Sequence, residues 1–237
     1  MKKFTLIFRR CSTALLCGAM VLIAAELSAQ KKIVPSVGKR YGAANYPLKD
    51  ASVYMKRWLL AGPVTVRESG EPDTKLQEDF FNTNPVSSIA VADDKAAPPV
   101  IVNNREYPWQ MHISKEDVID LDAVFKQDYA AAYALAEIKA ESPQTVFLAL
   151  GSDDGIKVWH NGKLIHKNWI DPGLTKDSDI VPVSLATGSN QILVSVQDIA
   201  GGWSFTCRVL DHAGLSERLI TASGKGDLDE INSLLAA

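Results

Sequence analysis

Two adjacent carboxylates, Asp153 and Asp154, are the side chains whose type and spacing most clearly suggest chemistry. Gly155 follows them and allows the backbone to turn sharply. Paired carboxylates on a loop are oxygen ligands that a hard cation such as calcium accepts. The same pair can instead cap a turn through side-chain to backbone hydrogen bonds. The sequence leaves both interpretations open: Asp153 and Asp154 as metal ligands, with calcium as the cofactor, or a purely structural turn.

Aromatic side chains are the second chemical feature, because the chain has five tryptophans. A sugar-binding surface needs flat rings for the apolar faces of the sugar and polar groups for its hydroxyls. Trp169 stands two residues before Asp171 in a predicted loop, and Trp159 alternates with apolar neighbours, at the core or at its rim. We predict ligand binding by Trp159, Asn161, Trp169 and Asp171. We predict core positions for the remaining three, Trp58, Trp109 and Trp203.

Catalysis and nucleic-acid binding find little support. The four histidines lack the spacing of zinc motifs, and neither a Gly-x-Ser-x-Gly elbow nor a phosphate-binding loop occurs. A net charge of −3 provides no basic footprint for nucleic acid. Phe205, Cys207 and Val209 alternate with polar residues, which predicts a buried thiol on a strand. The chain is therefore expected to be a non-enzymatic protein.

The elements that must position these side chains are predicted to be strands. Asn161-Gly162 separates two strand-like runs, and this dipeptide adopts the positive φ angles that a two-residue hairpin requires. The run at 145–150 is apolar on both faces, as in a strand covered by two layers. Further short strands are predicted at 181–185, 191–196 and 203–210. Strands at this spacing predict an all-β sandwich.

Other segments are less regular. Residues 72–81 are predicted to form a short helix, and 124–138 fit either a helix or a strand. Pro63 is expected at a strand start or a sheet edge. Residues 30–48 contain glycine and proline without apolar periodicity, which predicts a tether.

Four motifs in order resemble exported bacterial β-sandwich modules of the galactose-binding-like and protective-antigen-type, lectin-like classes. They read WLLAGP at 58–63, LGSDDGIKVWHNGK at 150–163, GSNQILV at 188–194 and GWSF at 202–205. The resemblance implies a jelly-roll-like β-sandwich. It also implies that Asp153 and Asp154 ligate calcium and, through it, sugar hydroxyls, with Asn161 or Asp171 as further ligands.

The C-terminal segment has a different pattern. Residues 219–235 read LITASGKGDLDEINSLL, with apolar residues at helical spacing and a capping-box-like Asp227 and Glu230. The segment resembles the helical pair of an ankyrin repeat. One such repeat cannot bury its own apolar face, so we expect residues 214–237 to be a truncated first repeat of an array. The alternative is a helix docked on the sandwich.

The N-terminal residues indicate export. A basic stretch at 2–10, an apolar stretch at 14–25 and small residues at 27–29 form the order of a secretory signal. The alternative is an uncleaved anchor. We expect a signal peptide at 1–29, a linker at 30–48, a β-sandwich binding module at 49–213 and the helical segment at 214–237.

These features together predict a periplasmic or extracellular binding module for carbohydrate or a cell-surface polymer, with no membrane span after signal cleavage. One alternative is a protein-interaction scaffold that binds a protein partner through the C-terminal helical region. A third is an accessory module of an exported glycoside hydrolase.

Overall fold

The structure is a computed structural model, and it describes residues 44–48, 53–66, 74–83, 97–169, 173–199 and 201–236. The predicted signal peptide and most of the predicted linker lie outside these residues. The strands, in chain order, are β1 (Ala44–Pro47), β2 (Arg57–Thr65), β3 (Val100–Val102), β4 (Arg105–Tyr107), β5 (Gln110–Ile113), β6 (Ile119–Asp120), β7 (Ala130–Ala140), β8 (Gln144–Asp153), β9 (Gly155–His160), β10 (Lys163–Asn168), β11 (Asp179–Leu185), β12 (Gly188–Gln197) and β13 (Ser204–Leu210). The helices are α1 (Thr74–Thr83), α2 (Leu121–Phe125), α3 (His212–Lys225) and α4 (Leu228–Ala236).

Two sheets form the sandwich. The larger has the order β10-β9-β12-β7-β2-β5, with β1 also pairing with β7, and the smaller has the order β11-β8-β13-β6. All their pairings are antiparallel except that of β1 with β7. Alternate side chains of both sheets meet in one buried cluster that includes Trp58, Leu148 and Val194. The all-β sandwich predicted from the sequence is therefore the fold.

Both sheets also bury apolar side chains on their outer faces. On the larger sheet, Leu59, Trp109 and Trp159 belong to a second buried cluster, against which Phe80 of α1 and Tyr107 of β4 pack. On the smaller sheet, Phe147 and Ala149 form a third cluster with Leu215 of α3 packed on it. Short elements thus cover surface that a sandwich in water would otherwise expose.

Several local predictions are confirmed. The β9–β10 hairpin turns at Asn161 and Gly162, which have φ angles of 48° and 82°. Cys207 is a buried free thiol on β13. Trp58, Trp109 and Trp203 are all buried. The predicted helix at 72–81 is observed as α1.

Other predictions need correction. The C-terminal part of the expected tether, Ala44–Pro47, is strand β1. Since β2 pairs with β7 only as far as Leu135, the backbone groups of the next β7 residues pair with β1 instead. Residues 124–138 are mostly strand β7. Pro63 lies inside β2 and not at its start. Only Arg57–Leu60 of β2 pair with β5, so Pro63 is at a part of β2 that forms the edge of the sheet on that side.

The C-terminal segment is a helical pair that docks on the sandwich. Asp211 caps α3 by accepting a hydrogen bond from the Gly214 backbone at 2.7 Å, so the helix begins before the predicted boundary at residue 214. The Asp227 carboxylate accepts one from the Glu230 backbone at 3.0 Å and caps α4, as the capping-box pattern predicts. The ankyrin interpretation of this pair stays a prediction.

Candidate functional site

The Asp153-Asp154-Gly155 turn carries the chain from one sheet to the other, since Asp153 ends β8 and Gly155 begins β9. Asp154 is fully buried, and its Oδ2 accepts a hydrogen bond from the backbone N–H of Ile199 at 2.5 Å. The Ser152 hydroxyl donates to the Asp154 carbonyl at 2.6 Å, and the peptide bond between the two aspartates is cis. Asp154 therefore joins the β8–β9 turn to the segment after β12.

The described residues alone do not complete a cation site at this turn. In the part of the chain that the structure describes, no group of three or more His, Cys, Asp or Glu side chains is arranged to hold a metal ion. Calcium takes about six to eight oxygen ligands. Asp171, which the sequence suggests as a further ligand, lies outside the described residues. Ligation by Asp153 and Asp154 stays a prediction.

A third carboxylate, Asp198, lies at the same end of the sandwich, because it follows Gln197, the β12 residue paired with Gly155. Its Oδ2 accepts a hydrogen bond from the Tyr129 backbone at 2.7 Å. Burial raises the pKa of Asp198 to about 6, and the hydrogen bond from Tyr129 opposes this rise. The carboxylates of Asp128, Asp122 and Asp153 raise the pKa further. The sequence does not single out Asp198, whose only signal is its position directly after an apolar strand.

Trp169 lies directly over Gly155. The β9–β10 pairing places Asn168 opposite Ile156, which returns the next residue of the chain to the turn. A Cβ on Gly155 would lie 2.7 Å from Cε3 of Trp169, closer than real Cβ atoms approach, so glycine is required for this contact. Phe81 of α1 supports the indole, with ring centroids 4.7 Å apart and planes at 36°. The structure therefore brings the partly exposed Trp169 beside the Asp153–Asp154 turn.

The other predicted ligand residues lie elsewhere. Trp159 is only 4% exposed and belongs to the buried cluster outside the larger sheet, so its ring offers no open face. Asn161 is at the opposite end of β9 from Gly155, and its Oδ1 accepts a hydrogen bond from the Gln191 backbone at 2.8 Å. These placements do not group Trp159 and Asn161 with Trp169, and their roles in binding stay predictions.

No protein-family model matches the sequence, and the search of curated proteins also finds no match. Among solved structures, an anti-sigma factor domain-containing protein is 14% identical with a TM-score of 0.37, over 49% of this chain and 41% of that one. A β-glucosidase from Kluyveromyces marxianus in complex with glucose is 14% identical with a TM-score of 0.38, over 52% of this chain and 16% of that one. A PA14 sugar-binding domain from an RTX adhesin is 10% identical with a TM-score of 0.33, over 65% of this chain and 89% of that one. This chain thus spans less than half the length of the first two proteins, and at these scores none of the likenesses assigns it a function.

In the part of the chain that the structure describes, no helix is both long and apolar enough to cross a membrane.

Proposed function

We propose that the chain is a non-enzymatic carbohydrate-binding module whose site is the end of the sandwich formed by Trp169 and the Asp153–Asp154 turn. In this proposal a sugar ring stacks on Trp169, and Asp153 accepts hydrogen bonds from its hydroxyls. The observation that carries the proposal is the position of the partly exposed indole directly over Gly155, the residue that follows the two carboxylates in the chain. Flat aromatic surface with adjacent polar groups is what a sugar site requires.

The geometry also supports a preorganised site. Trp169 is held between Gly155 below it and Phe81 beside it, so little side-chain freedom remains to be lost when a sugar binds. Asp154 holds the turn in place through Ile199. A carboxylate has about four acceptor positions, so the half-buried Asp153 can accept from sugar hydroxyls in addition to its contacts within the protein.

The place of action is part of the same proposal. The signal-like N-terminus favours binding in the periplasm or outside the cell, where cell-surface glycans are the available ligands. A role as accessory module of an exported glycoside hydrolase would use the same site.

The test is glycan-array screening of the full chain, followed by calorimetric titration of the best ligand. Replacing Trp169 by Ala should weaken binding by at least about tenfold, because truncating an aromatic anchor removes most of its contact energy. The control is Leu164→Ala, which removes an exposed apolar side chain at the other end of β10. Equal binding by wild type and Trp169→Ala would refute the site.

The calcium prediction is tested separately. Thermal denaturation is measured with calcium and with chelator, in the wild type and in a variant with Asp153→Asn and Asp154→Asn. A calcium-dependent rise in Tm that the double variant loses would support ligation by these carboxylates. An unchanged shift in the double variant would remove it.

A second function, protein interaction through the C-terminal helical pair, has one observation in its favour. Ile220 of α3 and Leu228 and Leu235 of α4 are 72%, 70% and 68% exposed. Exposed apolar side chains of this size are what a packed neighbouring element would cover. Changing all three to Ser should abolish such an interaction and leave sugar binding intact.

A further inference from the structure

Two lysines face each other beside the proposed site. Lys157 of β9 and Lys167 of β10 are direct partners in the antiparallel pairing. Their ammonium nitrogens lie 4.8 Å and 5.6 Å from the centre of the Phe81 ring, the same ring that supports Trp169. Like charges directly opposite one another destabilise a strand pair. The repulsion between the two ammonium groups is therefore a local cost to the fold, set against the cation–π contacts that both make with Phe81.

In the part of the chain that the structure describes, no carboxylate neutralises either lysine. Among the described residues, no ion pair involves Lys157 or Lys167. Lys157 is 4% exposed, and the rings of Phe81 and Trp159 are the groups that face its ammonium. Lys167 is exposed and donates a hydrogen bond to the Asn82 side chain. Burial, followed by the positive charge of Lys167, lowers the pKa of Lys157 to about 8. Buried charges in proteins are normally paired, so the two neighbouring ammonium groups favour the binding of an anion.

The positive charge lies where a sugar would stack. Lys167 lies near the end of β10, and Trp169 follows Asn168, the last residue of that strand. The Phe81 ring contacts the side chains of both Lys167 and Trp169. Lys157 and Gly155 are two residues apart on β9, and such residues point to the same side of a sheet. Gly155 is the residue that Trp169 covers. The aromatic surface and both ammonium groups therefore share the outer face of the larger sheet.

We propose, on the basis of the proposed function, that this site selects acidic sugars. The carboxylate of a uronic acid, or a sulfate ester, on a sugar stacked on Trp169 accepts hydrogen bonds from Lys167, and Lys157 adds positive charge beneath. The bound anion offsets the repulsion between the two lysines. A neutral sugar stacks on the same ring without this gain.

The test is calorimetric titration of the full chain with three oligosaccharides of equal length: one containing uronic acid, one sulfated and one neutral. The wild type should bind at least one acidic oligosaccharide about tenfold more tightly than the neutral one, and the acidic ligand that binds identifies the anion. Lys167→Gln should remove this preference, with a loss of about fivefold to tenfold for the acidic ligand and no change for the neutral one. Added salt should weaken acidic-sugar binding more in the wild type than in Lys167→Gln.

The matched control is Lys163→Gln, at the opposite end of the same strand, where Lys163 pairs with His160. It removes the same charge, and it should leave the preference for acidic sugars unchanged. An equal loss in both variants would mean that overall charge, not the lysine pair, attracts the ligand, and would overturn the proposal. Equal affinity of the wild type for neutral and acidic ligands would overturn acidic selection and leave the sugar site standing. Failure to bind any of the three, together with a blank glycan array, would overturn both.

Discussion

Replacing Asp177 with Asn is expected to destabilise the protein by about 3 kcal/mol. Asp177 is 8% exposed, and its carboxylate binds three side chains. Nη2 and Nε of Arg208 donate to it at 2.6 Å and 3.1 Å, and the Tyr54 hydroxyl donates at 3.0 Å. Arg218 of α3 lies 3.6 Å away and also pairs with Glu230 of α4. This one carboxylate therefore connects the smaller sheet to both C-terminal helices.

The magnitude follows from the burial of the partners. Removing one member of a buried ion pair costs about 3 to 5 kcal/mol, because the remaining charge stays away from water without a counter-ion. The side chains of Arg208 and Arg218 are 19% and 18% exposed, so each keeps some contact with water. Arg218 also keeps Glu230. The lower end of the range therefore applies, and the amide of Asn still provides one acceptor.

The assay is urea denaturation followed by tryptophan fluorescence, with limited proteolysis to detect release of α3 and α4. The matched control is Asp117→Asn, because Asp117 also pairs with two cations, Lys56 and Lys176, but at the surface. This control should change stability far less, and the change should shrink further in salt. A loss of stability for Asp177→Asn no greater than that for Asp117→Asn would show that the Asp177 ion pairs do not stabilise the fold through their burial.

Three further predictions concern residues at or near the proposed sugar site. Gly155→Ala should weaken sugar binding and lower the free energy of unfolding by about 1 to 3 kcal/mol, because the new Cβ would displace Trp169. Its control, Gly224→Ala, lies in a helix with open space around it and should raise the free energy of unfolding by about 0.5 to 1 kcal/mol. Urea denaturation measures both changes. Lys157→Met should raise Tm at neutral pH, because it removes a buried charge. Burial lowers the pKa of Lys157 to about 8, so between about pH 8 and 10.5 the folded protein has lost a proton that the unfolded chain keeps. The wild type should therefore gain stability over this pH range, and the variant should lack that rise. Asp198→Asn should be more stable than the wild type above about pH 6, where the buried carboxyl of the wild type must ionise, and the two should be equally stable near pH 4. Urea denaturation at several pH values measures this difference in stability. A difference that does not change with pH would contradict a pKa of about 6 for Asp198.

The features predicted from sequence were those encoded by neighbouring residues. Asn161-Gly162 specified the β9–β10 hairpin, and strand alternation placed Cys207 in the core. The loop context of Trp169 predicts a ligand-binding ring, and the structure places this partly exposed side chain beside the Asp153–Asp154 turn.

The remaining features depend on distant residues or on irregular pairing. A two-residue hairpin at Asn161 in perfect register would place Lys157 opposite His166. The register shifts between Leu164 and His166, so Lys157 instead faces Lys167, and no local pattern indicates that shift. Asp198 and Phe81 reach the site only through the topology of the sandwich, because Asp198 is about 40 residues and Phe81 more than 70 residues from Gly155 in the chain.

The sugar site is best tested by an NMR titration of the ¹⁵N-labelled full chain with the best ligand from the glycan array. We predict shifts of the Trp169 indole N–H and of the backbone amides of 153–155 and 198–199, with the signals of the C-terminal helices unchanged. Shifts confined to α3 and α4, or a Trp169 indole signal that does not respond to a saturating ligand, would contradict a sugar site at this end of the sandwich.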